Sequence, residues 1–145
     1  MNIQRGPNIL LVEDTEEHAV LMRRALEDGK LRPQLFVVRD GKAALDFLYN
    51  RGDYTDIEAN PKPDIILLDL NLPKVHGLEV LEQIKGEERL RDIPVVVLTA
   101  SDVAKDIVRS YLMGAESYVM KSVLFVNKGA DSLSILDTVV ALAGG

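Results

Sequence analysis

Five short apolar runs that alternate with longer segments of helical spacing most constrain how this chain can fold. The runs are Ile9–Val12, Leu35–Val38, Ile65–Leu68, Val95–Leu98 and Ser117–Met120. Runs this short and this apolar are typical of strands that are buried on both faces, as in a parallel sheet. The segments with an apolar helical stripe are Thr15–Asp28, Gly41–Tyr49, Leu78–Lys85, Val103–Met113 and Leu133–Ala143. Five successive β-α units predict an α/β fold, in which helices cover both faces of a mostly parallel sheet.

Composition narrows the classes of function. The 145 residues carry a formal net charge of -6 and include no cysteine. Disulfides, thiol catalysis and thiolate metal sites are therefore excluded, and the acidic balance argues against a nucleic-acid-binding surface. No stretch reaches the ~20 apolar residues of a membrane-spanning helix, and the polar start of the chain lacks the apolar core of a signal peptide. We expect a cytoplasmic protein that binds neither nucleic acid nor membranes.

The five β-α units take up nearly the whole chain. We therefore expect one domain over residues 1–145 with no output domain. The polar stretch Asn50–Pro63, which contains glycine, asparagine and prolines, predicts a long surface loop before the third strand.

Polar residues close four of the five predicted strands. Glu13 and Asp14 follow the first strand, Asp69 the third, Thr99 the fourth and Lys121 the fifth. Singly, each has a plain interpretation as a helix cap, a turn residue or a solvated charge. In a parallel sheet, however, the carboxyl ends of the strands lie at one edge, where ligands bind. Three carboxylates at that edge predict a site for a hard divalent cation such as Mg²⁺, which would relieve their mutual repulsion.

Four segments of the chain resemble the receiver domains of two-component response regulators. They are ILLVEDTEEH, PDIILLDLNLPKVHGLEVL, IPVVVLTAS and GAESYVMKS, and the resemblance runs from about Asn8 to Lys121. The shared pattern is an acidic pair, an Asp with Pro73 four and Gly77 eight residues later, then Thr-Ala, then Lys. It implies a flavodoxin-like, doubly wound sheet of five parallel strands in the order 2-1-3-4-5, with five helices. It also implies a phospho-acceptor switch and not an enzyme that turns over an external substrate.

The resemblance assigns roles in phosphoryl transfer and switching. Asp69 would accept a phosphoryl group from a sensor histidine kinase, and Lys121 and Thr99 would contact the phosphoryl oxygens. The small Ala100 would leave Asp69 accessible. Thr99 and Tyr118 would transmit the change to the surface around the fourth helix, the fifth strand and the fifth helix, where partners would bind.

The resemblance also implies a ligand set for the metal. Mg²⁺ would be held by Asp14 and Asp69 directly, by Glu13 largely through water, and by the backbone carbonyl of Asn71. This is the same acidic edge that the strand ends predict from the residues alone.

Three features together resemble a narrower group, the stand-alone regulators that are paired with bacterial phytochromes. They are the expected length of one domain without an output domain, the long loop before the third strand, and Ser122 after Lys121, where many receivers have proline, often after a cis bond. A cis bond before a residue other than proline costs ~3 kcal/mol. Whether the Lys121–Ser122 bond is cis or trans stays open.

The last helical segment predicts a homodimer. Its apolar residues cover about half of the helix circumference, more than the ~100° stripe of a core-facing surface helix. The alternative is a helix that is simply well packed at the end of the domain. The interface is expected to include the fourth helical segment as well as the last. The residues expected there are Val103, Ile107 and Tyr111 of the fourth segment and Leu136, Val139 and Val140 of the last.

Three other functions fit parts of the pattern. A haloacid-dehalogenase-type phosphatase also uses an Asp after a strand, but needs an acid two residues later, where this chain has Asn71. A flavin-binding module needs a phosphate-binding loop after the first strand, where Glu13 and Asp14 would repel a phosphate. A receiver that only docks partners would not need the acidic pair, Asp69, Thr99 and Lys121, all of which this chain has. The single histidines, His18 and His76, are interpreted as solvated surface residues.

Overall fold

The structure, a computed structural model, describes residues 6–28, 33–70, 72, 76–99, 114–115 and 117–120. Its elements are β1 Asn8–Val12, α1 Glu16–Asp28, β2 Gln34–Val38, α2 Gly41–Leu48, a short 3-10 helix Gly52–Tyr54, β3 Ile65–Asp69, α3 Gly77–Gly86, β4 Val95–Thr99 and β5 Ser117–Met120. The predicted fourth and fifth helices lie outside these residues. Among the helices that are described, none has both the length and the apolar character to cross a membrane.

The five strands form one parallel sheet in the order β2-β1-β3-β4-β5. This confirms the flavodoxin-like order expected from the resemblance. The chain passes from β1 to β2 on one side and then to β3 on the other, so the strand order reverses between β1 and β3. Val12 of β1 pairs with Leu68 of β3, and Asp69 pairs with Leu98 of β4. The carboxyl ends of β1 and β3 are therefore the expected place for a ligand.

Helices cover both faces of the sheet. Successive residues of a strand point to opposite faces, and Leu10 and Leu68 pack with residues of α2 and α3. Leu11 and Leu67 pack on the other face against α1, which contributes the fully buried Met22. Apolar contacts thus hold β1 and β3 on both faces of the sheet, so the residues at the ends of these two strands have little freedom to move.

The edge strand β2 departs from the prediction of burial on both faces. Only Val38, its last residue, is fully buried, and the four residues before it are partly exposed. The reason is its position, since β2 has a neighbouring strand on one side only.

The predicted surface loop after α2 is more structured than its composition suggests. The Asn50 side-chain amide donates to the carbonyls of Tyr54 and Asn60, at 3.0 and 2.9 Å. Asn50 itself has a φ of 52°, a left-handed conformation that asparagine tolerates. The ring of Tyr54 packs 5.4 Å from that of Phe47, which packs 5.7 Å from Phe36. The loop is thereby fastened to the core beneath α2.

Candidate functional site

Three carboxylates meet where the strand order reverses. Glu13 and Asp14 directly follow β1, and Asp69 is the last residue of β3. Because β1 and β3 are neighbours in register, carboxylate oxygens of the three residues all lie within 4.8 Å of one another. We call Glu13, Asp14 and Asp69 the acidic cluster. The structure thus brings together three of the residues that the sequence places at this edge.

The members of the acidic cluster differ in exposure. Glu13 is fully buried, Asp69 is 2% exposed, and Asp14 is exposed to solvent. The backbone N–H of Glu13 donates to the Val38 carbonyl at 3.0 Å, which extends the pairing of β1 with β2 by one residue. The Thr15 N–H donates to Glu13 Oε2 at 3.3 Å. The cluster therefore has a fixed inner part and one carboxylate that solvent reaches.

The spacing of the acidic cluster fits a small divalent cation. A Mg²⁺–oxygen bond is about 2.1 Å long, so oxygens on opposite sides of the ion lie about 4.2 Å apart. Three carboxylate oxygens within 4.8 Å of one another match that scale. Carboxylates are also the ligand type that Mg²⁺ prefers, and a cation between them relieves the repulsion of like charges held close together.

The main chain that carries Asp69 is fixed by its neighbours. The N–H of Leu70 donates to the Leu98 carbonyl at 3.1 Å, and the Leu70 carbonyl accepts from Gly77 N–H at 3.2 Å. These bonds tie the end of β3 to β4 and to the first residue of α3. A carboxylate on this main chain is held in place before any ligand arrives, which favours reactions that depend on positioning.

The remaining predicted residues are described only in part. Thr99 is the last residue of β4 and pairs with Met120, and Tyr118 of β5 pairs with Val97. Their backbones lie where the strand pattern predicts, but their side chains are not described. The predicted residues that lie outside the described part of the chain are Asn71, Ala100, Lys121 and the six of the proposed dimer interface, together with the Lys121–Ser122 bond.

His76 has a structural role that sequence reasoning missed. Its Nδ1 accepts a hydrogen bond from the Leu78 N–H at 3.2 Å and so caps the first turn of α3. Its exposure agrees with a surface position, whereas His18 is partly buried. Position was the only signal for the cap, since His76 directly precedes the helix, but histidine is not among the common capping residues.

Comparison with known proteins supports one family. Residues 9–127 match the response regulator receiver domain. Response regulator Rcp1 of Synechocystis sp. is 45% identical over 114 residues, which cover 79% of this chain and 76% of that protein. The probable methanogenesis regulatory protein FilR2 of Methanothrix harundinacea is 48% identical over 118 residues, which cover 81% of this chain and 73% of that protein.

Solved structures of similar proteins share the fold. The phosphorylated cyanobacterial phytochrome response regulator RcpA has a TM-score of 0.81 and 36% identity, covering 95% of this chain and 94% of that one. The Mn²⁺-bound form of Rcp1 has a TM-score of 0.78 and 38% identity, covering 93% and 92%. Because the family match spans most of the sequence, and the sheet order and acidic cluster agree with it, this chain belongs to the receiver domain family of two-component response regulators.

Proposed function

We propose that this chain is a phosphorylation switch in which Asp69 accepts a phosphoryl group from a sensor histidine kinase in a Mg²⁺-dependent reaction. The observation that supports this most directly is the acidic cluster, with its oxygens within 4.8 Å at the carboxyl ends of β1 and β3. Asp69 is the member on which the transfer centres, because it is nearly buried and its main chain is fixed by β4 and α3.

The transfer needs positioning more than covalent assistance. A carboxylate oxygen of Asp69 attacks the phosphorus of a phosphohistidine. The new O–P bond forms as the P–N bond breaks, and the imidazole leaves with the electron pair. Mg²⁺, when bound, offsets charge on the transferring group. Glu13 and Asp14, with Asp69 and the carbonyl of Asn71, are the residues that would hold it.

The metal proposal gains support from a relative. The Mn²⁺-bound form of Rcp1 carries a divalent ion on a chain that is 38% identical to this one. The donor set here consists of carboxylate oxygens alone, among the described residues. Such a set suits Mg²⁺ and Mn²⁺ better than metals that prefer nitrogen or sulfur ligands.

We further propose that the kinase is a phytochrome. RcpA is a phytochrome response regulator whose solved structure is phosphorylated, and it superposes on nearly the whole of this chain. FilR2, at 48% identity, is named instead for methanogenesis regulation. Likeness of this degree therefore extends beyond phytochrome systems, and the pairing has to be tested with the kinase itself.

The finer assignments remain predictions. They are the contacts of Lys121 and Thr99 with the phosphoryl group, access past Ala100, and switching through Tyr118. We also propose that the protein forms a homodimer and that it is located in the cytoplasm.

The test is the intact mass of the protein after incubation with acetyl phosphate and Mg²⁺. We expect the wild type to gain one phosphoryl group that is labile to base and that requires Mg²⁺. Asp69→Asn should gain none, because an amide cannot form the acyl phosphate. The matched control is Asp46→Asn, which neutralises a carboxylate of α2 outside the acidic cluster and should be phosphorylated like the wild type.

A second phosphodonor is needed because some receivers accept a phosphoryl group only from their kinase and not from small molecules. The same three proteins are incubated with an autophosphorylated phytochrome kinase, and transfer is followed from the kinase histidine. Lack of transfer from both donors to a folded wild type that binds Mg²⁺ would contradict the proposal and favour a receiver that only docks partners. Equal phosphorylation of Asp69→Asn would show that another residue is the acceptor.

A further inference from the structure

Gly77, the first residue of α3, lies directly against the main chain that carries Asp69. A Cβ atom at this position would lie 2.5 Å from the Asp69 carbonyl oxygen, 2.6 Å from the Leu70 Cα and 2.8 Å from the Leu70 carbonyl oxygen. All three atoms belong to the main chain, so no change of side-chain rotamer can relieve the contact. Any larger residue at this position must move the start of α3 or the end of β3.

Neither side of this contact is free to move independently. The Leu70 N–H is bonded to Leu98, and its carbonyl accepts from Gly77 itself. Leu70 is 4% exposed and Gly77 is buried. Closely packed protein interiors transmit a displacement from one group to its neighbours and do not absorb it. A shift at Gly77 is therefore expected to reach Asp69.

We propose that Gly77 is a positioning residue for phosphoryl transfer, an inference that rests on the proposed role of Asp69. The absence of a Cβ lets the first turn of α3 lie on the peptide that joins Asp69 to Leu70. This contact sets where the Asp69 carboxylate lies relative to the other members of the acidic cluster.

The size of the expected shift follows from the contact distances. Moving the closest contact from 2.5 Å to an ordinary separation of about 3.5 Å requires a displacement of about 1 Å. A misplacement of about 1 Å in a reacting group can slow a positioned reaction by up to about 100-fold. We expect a Cβ at this position to slow phosphorylation of Asp69 by about 10- to 100-fold and to weaken Mg²⁺ binding.

The same helix contains its own control. Gly86 is the last residue of α3, and a Cβ there would meet no atom within 4 Å. Gly86→Ala thus adds the same methyl group to the same helix without a contact. Because alanine favours helix more than glycine does, Gly86→Ala also strengthens α3 and helps a second substitution to be tolerated.

The experiment compares Gly77→Ala/Gly86→Ala with Gly86→Ala alone, well below the unfolding temperature of each. The measurements are the rate of acyl-phosphate formation from acetyl phosphate at several Mg²⁺ concentrations and the Mg²⁺ affinity. A merely structural role would lower the unfolding temperature but leave the rate per folded molecule and the Mg²⁺ affinity unchanged. That result would overturn the inference.

The Gly86→Ala variant shows whether a failure concerns the positioning role of Gly77 or the proposed function on which that role rests. If Gly86→Ala is phosphorylated on Asp69 and the double variant is equally fast, only the positioning role fails. If Gly86→Ala accepts no phosphoryl group from either donor, the proposed function fails and the inference with it.

If the double variant does not fold, NMR of the unsubstituted protein tests the inference instead. The amide resonance of Gly77 should move when Mg²⁺ is added and again on phosphorylation, because its N–H is bonded to the Leu70 carbonyl. The amide of Gly86, at the far end of α3, should stay in place. A Gly77 resonance that moves no more than that of Gly86 would overturn the inference.

Discussion

Carboxylates lie in opposite surroundings in two clusters of this protein. In the acidic cluster, three carboxylates lie within 4.8 Å of one another. On α2, Asp46 instead lies between two cations, with its oxygens 2.9 Å from Lys42 Nζ and 2.7 Å from Arg51 Nε. The hydrogen bond from Arg51, followed by that from Lys42, holds the pKa of Asp46 below its ordinary value of 3.8. We call Asp46, Lys42 and Arg51 the Asp46 cluster.

The difference separates a carboxylate whose charge is compensated within the chain from three carboxylates that lie together, where we propose that Mg²⁺ binds. The charge of Asp46 is compensated by cations of the chain, so ionisation favours the folded state. Gathering the acidic cluster brings like charges together, which raises the free energy of the folded state until a cation binds. If Mg²⁺ binds here as proposed, folding of this edge of the sheet is coupled to metal binding.

The largest expected contrast is the response of stability to Mg²⁺. At a free Mg²⁺ concentration a hundred times Kd, the wild type should gain about 2.7 kcal/mol of unfolding free energy. Asp14→Asn should weaken Mg²⁺ binding by at least about tenfold and lose much of this gain. Asp46→Asn should keep all of it, because its carboxylate belongs to the other cluster. Thermal unfolding over a Mg²⁺ titration measures all three.

An equal Mg²⁺ response in the wild type and in Asp14→Asn would contradict the assignment of the cluster as the metal site. A smaller gain in stability from Mg²⁺ in Asp46→Asn than in the wild type would contradict the separation of the two clusters, since it would mean that they act on each other.

Without metal, the two substitutions should change stability in opposite directions. Asp14→Asn removes one of three neighbouring like charges and should raise the unfolding free energy by about 0.5–1 kcal/mol. Asp46→Asn removes the partner of two cations and should lower it by about 0.5–1 kcal/mol. Urea unfolding in EDTA at pH 7 gives both values. A loss of stability in both variants would mean that the Asp14 carboxylate stabilises the folded state even without metal.

The two clusters also differ in how far the sequence predicts them. The acidic cluster draws on residues more than fifty positions apart, yet it could be anticipated because each lies at the end of an apolar run. Parallel strands bring their carboxyl ends to one edge whatever the length of the connections between them. The sheet order follows from the same pattern once the family resemblance is added.

The Asp46 cluster is local in sequence, but the sequence pattern does not predict it. Asp46 and Lys42 are four residues apart on a predicted helix, a spacing that favours an ion pair. Arg51, however, falls in a stretch that composition marks only as a loop. Its approach to Asp46 depends on the left-handed turn at Asn50 and on the packing of Tyr54. Such contacts depend on how one loop closes, which hydrophobic periodicity does not encode.

The contact at Gly77 is predicted in part. The glycine belongs to the family pattern, but only the structure shows which atoms it approaches. A main-chain contact of this kind leaves no mark in composition or periodicity, because the partner atoms are the same in every residue.

The smallest expected effect is the pH dependence of the Asp46 cluster. Since its folded-state pKa is lower than its ordinary value of 3.8, the carboxylate stabilises the fold at any pH above that value. This stabilisation is lost as the pH falls through the folded-state pKa. Asp46 of the wild type then becomes protonated, and its neutral side chain resembles that of Asp46→Asn. The difference in unfolding free energy between the two proteins should therefore be constant from about pH 7 to pH 5 and should shrink below about pH 4.

Urea unfolding of both proteins across this range, in EDTA, measures the difference directly, and changes common to both proteins cancel. A difference that stays constant well below pH 4 would mean that Asp46 acts through packing or neutral hydrogen bonds. The charge compensation that distinguishes it from the acidic cluster would then be absent. If the difference does shrink, the stabilisation belongs to the ionised carboxylate. The contrast between the clusters then lies in where each finds its cations, Asp46 within the chain and, on the proposed function, the acidic cluster from solution.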